Sequence, residues 1–143
     1  MITVRAYMPG DFQMVNEWAK ARGLILTPEL LSKTGFLAED DEGPCSVVWV
    51  YLMFDVPIAS LDYQLTRPGL NGRKVISCWR LMWACAVRYL HALKDTDGNS
   101  LHYSVIRSFV NEKMAPLTRK EGWFVAEQRY CQAMRTLPSL DKI

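Results

Sequence analysis

Carboxylates, imidazoles and thiols are the side chains of this sequence with the chemistry to move protons or hold metals, and their placement narrows their roles. Glu39 and Asp62 fall in stretches that read as strands, where a carboxylate is either a general base or a solvent-facing charge. His91 sits near the end of a long helical segment, where a cation suits the helix dipole, and His102 alternates outward between Leu101 and Tyr103. Both read as surface histidines. Cys45, Cys78, Cys85 and Cys131 contain no C-x-x-C pair, and Cys78 and Cys85 are seven residues apart, a helical repeat. They read as reduced, buried structural thiols, with no metal site expected. Trp79 and Trp83 stand at i,i+4, and with Trp18, Trp49 and Trp123 they read as core. A base-stacking surface would need basic residues interleaved on one sheet face, a pattern this chain lacks.

The elements that must position these residues follow from periodicity. Residues 2–7 alternate as a first strand, Pro9-Gly10-Asp11 punctuates with Asp11 as an N-cap, and residues 12–22 form a helix closed by Gly23. A short helix starts at Thr27-Pro28-Glu29, with Thr27 as its cap. Three strand signals follow at 36–39, 46–54 and 58–65, an antiparallel meander. After a loop at Pro68–Gly72 comes the longest element, a helix over 73–94. Its Val75, Trp79, Met82, Ala86 and Leu90 share one face, widened by Cys78, Cys85 and Val87, so heavy burial is expected. A strand at 101–106, a helix at 111–121 and a last strand or hairpin at 123–134 complete a mixed sheet.

The stretch from Asn111 to Trp123 carries a more specific pattern: Asn111 opens a helix, Met114 and Leu117 share a face, Lys120 follows, and Gly122-Trp123 closes it. With the element order and the opening Val4-Arg5-Ala6…Asp11-Phe12, this resembles the GNAT acetyltransferase superfamily over nearly the whole chain. The resemblance implies a single α/β (α+β) domain over residues 1–136, built on a mixed, mostly antiparallel twisted sheet flanked by helices, with 137–143 as a loose tail. It implies acetyl-CoA as donor and an amine as acceptor.

In that family the strand before the long helix leads into a Gln/Arg-x-x-Gly-x-Gly/Ala loop whose backbone N–H groups cradle the coenzyme diphosphate. Glycine lets the backbone approach the phosphates, and the helix dipole adds favourable charge. Here the stretch is Asn71-Gly72-Arg73-Lys74-Val75-Ile76, in which Gly72 keeps a small position while Lys74 and Ile76 stand where glycines are expected. Donor contacts are therefore implied at Leu65, at Asn71, Gly72, Arg73, Lys74, Val75 and Ile76, and at Asn111. Arg73 and Lys74 either meet the diphosphate charge or, with Ile76, fill its space. The family often places an acid tyrosine seven residues after the helix-opening Asn; Thr118 stands there. Glu39 and Asp62 are the candidate bases. The eroded loop and missing tyrosine also resemble non-catalytic GNAT-like proteins of bacteriophages, including virion-associated ones, which act as scaffolds or protein-binding modules.

The bulk numbers set limits. Across 143 residues, 17 basic and 15 acidic side chains leave a formal charge of +2, too balanced to point to nucleic acid. Half the residues are apolar, enough for a core without disulfides. The longest apolar run, Val47 to Phe54, is too short for a membrane span, and no signal peptide is evident. A cytoplasmic setting is expected (host cytoplasm or virion for a phage protein), with a homo-oligomer or protein partner if the chain is a scaffold.

Overall fold

The computed structural model describes residues 1–110 and 113–125. The chain divides into two compact units, Met1–Phe109 and Val110–Ile143. In the first, five strands, β1 (Thr3–Ala6), β2 (Gly35–Asp40), β3 (Gly43–Leu52), β4 (Ile58–Thr66) and β5 (Val105–Ser108), lie side by side in sequence order. The first four are antiparallel neighbours, and β5 runs parallel to β4. The long connection between β4 and β5 carries a helix, as a parallel crossover requires. This is the mixed, mostly antiparallel sheet that the element order implied.

Two helices of this unit sandwich the sheet: α1 (Phe12–Lys20) and α2 (Gly72–Ala92). Leu37 of β2 packs in the cluster that holds Val15, Trp18 and Ala19 of α1. Its neighbour Phe36 meets Tyr89 of α2, ring centroids 6.3 Å apart. Adjacent strand residues point to opposite faces, so α1 and α2 cover opposite sides of the sheet. The central strand β3 is therefore buried without interruption from Cys45 to Val50. Helix α2 is not buried all round. It sinks Cys78, Trp79, Met82, Ala86 and Leu90, while Arg73, Ser77, Arg80, Leu81, Arg88 and His91 face solvent. Its stripe matches the expected face except at Val75, Cys85 and Val87, which are half-buried.

Local chemistry explains the boundaries. Helix α1 stops because Gly23, at φ +69°, donates its N–H to Lys20 while Leu24 donates to Ala19, satisfying carbonyls the helix leaves open. Asp11 does not cap α1: both its oxygens are held by Arg5 (2.8 and 2.9 Å), and one also accepts the Met8 N–H. The element at Pro28–Leu30 is a single 3-10 turn, without a side-chain bond from Thr27. Strand β3 ends at Leu52, leaving Phe54 fully exposed in the hairpin. The strand expected at 101–106 begins only at Val105, because His102 adopts φ +46°, which breaks an extended run.

In the second unit, α3 (Ala115–Lys120) is shorter than the helix expected at 111–121 and starts beside Pro116. Its stop is as read: Gly122, at φ +86°, donates to Arg119 and Trp123 to Thr118, the same closing motif as α1. Trp123–Val125 form no strand, and the rest of the expected 123–134 element, Cys131, Asn111 and the 137–143 tail lie outside the described residues. No described helix is long and apolar enough to cross a membrane.

Candidate functional site

Strands β4 and β5 pair only from Ile58↔Val105 to Leu61↔Ser108. The Ser108 hydroxyl donates to the Leu61 carbonyl at 2.7 Å, tying the last pair. Beyond it, Asp62–Thr66 run on without a strand partner on that side among the described residues. The same place carries a bulge. On β3, Val47 and Trp49 oppose Leu65 and Asp62, so β4 holds one extra residue, and Tyr63 takes φ +57° to fit it. A bulge bends its strand and raises the local twist. Among the described residues, β4 thus runs five residues beyond its pairing with β5.

The edge leads to the amino end of α2. Arg67-Pro68-Gly69-Leu70 forms a turn closed by Leu70 N–H on the Arg67 carbonyl, with Gly69 at φ +81°. Asn71 then caps the helix, its Oδ1 accepting the Lys74 N–H at 2.9 Å. The N–H groups of Gly72 and Arg73 have no partner among the described residues, as the first amides of a helix leave them. A Cβ on Gly72 would meet nothing within 4 Å, so the approach to these amides is open.

Lys74 does not point its charge at that opening. Its Nζ is 2.7 Å from Asp40 Oδ2. Arg67 binds the same carboxylate at 3.1 Å and Glu42 at 2.7 Å. Asp40, only 2% exposed, also accepts the Glu42 N–H. The Lys74 hydrogen bond is the main reason its carboxyl is pushed down to about 2, with the Glu42 amide and Arg67 adding. Arg73 stays exposed, Val75 and Ile76 are half-buried, and Leu65 is in the core with its carbonyl accepting the Ser46 hydroxyl.

The candidate bases separate. Glu39, at the β1 edge of β2, accepts Arg5 Nε at 2.8 Å and completes the Arg5–Asp11 clamp. Asp62 is the first residue of β4 beyond the β5 pairing. Its Oδ2 accepts the Ser60 hydroxyl at 2.6 Å, while Oδ1 is buried without a hydrogen-bond partner among the described residues, as is Gln64 Nε2 two residues on. A buried acceptor left unpaired is costly, and a proton donor from a ligand would satisfy it. Thr118, in the second unit, is buried and donates its hydroxyl to the Met114 carbonyl at 2.8 Å. His91 and His102 are exposed. Sequence reasoning missed Asp40, Arg67, Tyr63 and Gln64. Nothing local marks them, since the bulge has no glycine and Asp40 meets Lys74 across 34 residues.

A mixed sheet covered on both faces, with β5 parallel to β4 and a long capped helix connecting them, defines a class: this is the fold of the GNAT acetyltransferases. Solved structures bear the likeness out. A GNAT-family acetyltransferase of Streptococcus pneumoniae TIGR4 superposes with TM-score 0.57 over 96% of this chain and 98% of its own, at 16% identity. A predicted acetyltransferase of Clostridium acetobutylicum, solved with acetyl-CoA, gives 0.55 over 93% and 96%, at 11% identity. An integron cassette protein from the mobile metagenome of V. cholerae gives 0.61 over 94% and 93%, at 7% identity. No protein-family model matches the sequence, and no curated protein matches it.

Proposed function

We propose that this protein is an N-acyltransferase that takes acetyl-CoA as donor and an amine as acceptor. One observation carries the reading: the edge of β4 beyond Leu61, unpaired among the described residues, runs into a helix amino end with two amides unclaimed by those residues and free approach at Gly72. That geometry suits an elongated ligand with an anionic group at one end. Bound acetyl-CoA would supply the activated acetyl thioester. The chain's own part is to hold the donor along β4, with the Gly72 and Arg73 amides toward its diphosphate, and to remove a proton from the acceptor. Asp62 suits the second task, because Ser60 fixes one oxygen and leaves the other to accept a proton.

Calorimetry with acetyl-CoA and CoA tests this. Micromolar binding that weakens in Gly72→Trp supports it, since the indole would occupy the approach to the amides without meeting other atoms of the fold at its Cβ. Saturation at a hundredfold over Kd should also raise stability by about 2.7 kcal/mol. No heat at millimolar ligand rejects the reading.

A non-catalytic role as a protein-binding module, of the sort a phage virion would use, is the second reading. It is favoured by Lys74 and Arg67 being held by Asp40, and by a Thr118 hydroxyl already spent on Met114. Size-exclusion of the chain from its native source should then give a stable complex or homo-oligomer, and a monomer with thioester turnover would exclude it.

A further inference from the structure

Two cysteines that stand 33 residues apart in the chain meet in the core: Cys45 on β3 and Cys78 on the second turn of α2, their Sγ atoms 3.4 Å apart and both side chains fully buried. Cys45 donates its thiol hydrogen to the Ala38 carbonyl at 3.3 Å, so Cys78 is the donor in the contact between the two sulfurs. The pair adjoins the Asp40 ion pairs. Cys78 follows Lys74 by one helical turn, and the Cys45 carbonyl accepts the Arg67 N–H at 2.9 Å. A disulfide needs its sulfurs at about 2.0 Å, so closure asks for a shift of about 1.4 Å shared between two side chains. The Cys45–Ala38 contact that closure gives up is a weak one.

We infer that Cys45 and Cys78 are a latent disulfide, a covalent modification site that stays a dithiol in a reducing compartment and closes when the chain folds in the presence of a small-molecule disulfide. One cysteine thiolate attacks the small disulfide, forming a mixed disulfide and releasing a small thiolate. The second cysteine loses its proton to solvent and attacks the protein sulfur of the mixed disulfide. The Cys45–Cys78 bond forms and a second small thiolate leaves. The protein gives up two electrons to the small disulfide, and the two protons end on the two small thiols. Because the closed fold shields both sulfurs, this exchange runs while α2 is undocked. The resulting loop encloses β4, the Arg67–Leu70 turn and the Asn71 cap, and fastens the amino half of α2 to the sheet beside the Asp40–Lys74 pair. The inference is independent of whether the chain binds CoA.

The test is to refold the full chain from urea and reductant into a mixture of reduced and oxidised glutathione. Remaining thiols are then alkylated and the peptides mapped without reduction. Cys45–Cys78 should be the predominant linkage, with Cys85 and Cys131 alkylated. The cross-linked chain, freed of glutathione, should keep the parent's circular-dichroism spectrum and show a higher urea midpoint than the reduced chain, because the bond restricts the unfolded state. A Cys85→Ser, Cys131→Ser double variant should give the same linkage. The reduced chain, already folded, should acquire it more slowly than the refolding chain. Predominant linkage through Cys85 or Cys131, four alkylated cysteines, a cross-linked chain with a lower urea midpoint, or equal rates in the folded and refolding chain would overturn the inference.

Discussion

Asp40 Oδ2 and Lys74 Nζ lie 2.7 Å apart, joining the end of β2 to the first turn of α2 and tying down a cation that a diphosphate would otherwise attract. Because Asp40 is held near 2, below the ordinary carboxylate value of about 3.9, its ion pairs contribute stability that is complete above about pH 4. That contribution is lost as pH falls through 2. In Asp40→Asn the urea midpoint should drop at pH 7, and the difference from the parent should shrink between pH 4 and 2. A constant difference across that window would show that the ionised carboxylate is not what stabilises the contact. The same substitution releases Lys74, while Arg67 keeps Glu42, so CoA affinity should rise, and more so at low salt.

Asn71 tests the helix amino end. Removing the cap in Asn71→Ala should cost about 0.5–2 kcal/mol in chemical denaturation. Asn71→Asp should keep that stability, since an anion suits a helix amino terminus, yet weaken CoA by repelling its phosphates. If Asp and Asn bind CoA alike, the diphosphate does not sit at these amides.

Gly35 faces Trp49 across β2 and β3, and a Cβ there would come within 2.7 Å of Trp49 Cδ1 and 3.1 Å of Tyr7 Cβ. The Tyr7 and Trp49 rings are packed edge to face at 5.0 Å, so neither can move aside cheaply. Gly35→Ala should therefore lower unfolding free energy by about 1–3 kcal/mol. A stability within error of the parent would contradict this packing.

Cys45 and Cys78 lie with their Sγ atoms 3.4 Å apart, fully buried between β3 and α2. Burial raises both thiols above the ordinary range, Cys78 to about 12. Maleimide at pH 8 should modify neither in the native state and both once urea unfolds the chain, with peptide mapping as the readout. Native-state labelling ahead of the half-buried Cys85 would mean that α2 opens readily.

Much of this architecture was readable from residue order. Alternation at residues 2–7 and β-rich runs between turn signals marked four of the strands, Gly23 and Gly122 announced the two helix stops, and the apolar stripe of α2 was visible at its 3.6-residue spacing. These signals are local, so they survive without knowledge of the fold. The shorter α3, the late start of β5 and the Arg5-bound Asp11 were not readable, because each depends on a competing conformation or a distant partner.

The candidate site divides along the same line. The amino-acid order by itself determined a mixed sheet with a helix entering after its fourth strand, because hydrophobic period and turn chemistry act over a few residues. Only the tertiary structure decided that Asp62 stands just beyond the β5 pairing with one oxygen buried and unpartnered among the described residues, while Glu39 is locked to Arg5 and Lys74 to Asp40. Charge pairing and strand bulges are settled by what lies beside a residue in space, and in this chain those neighbours come from tens of residues away.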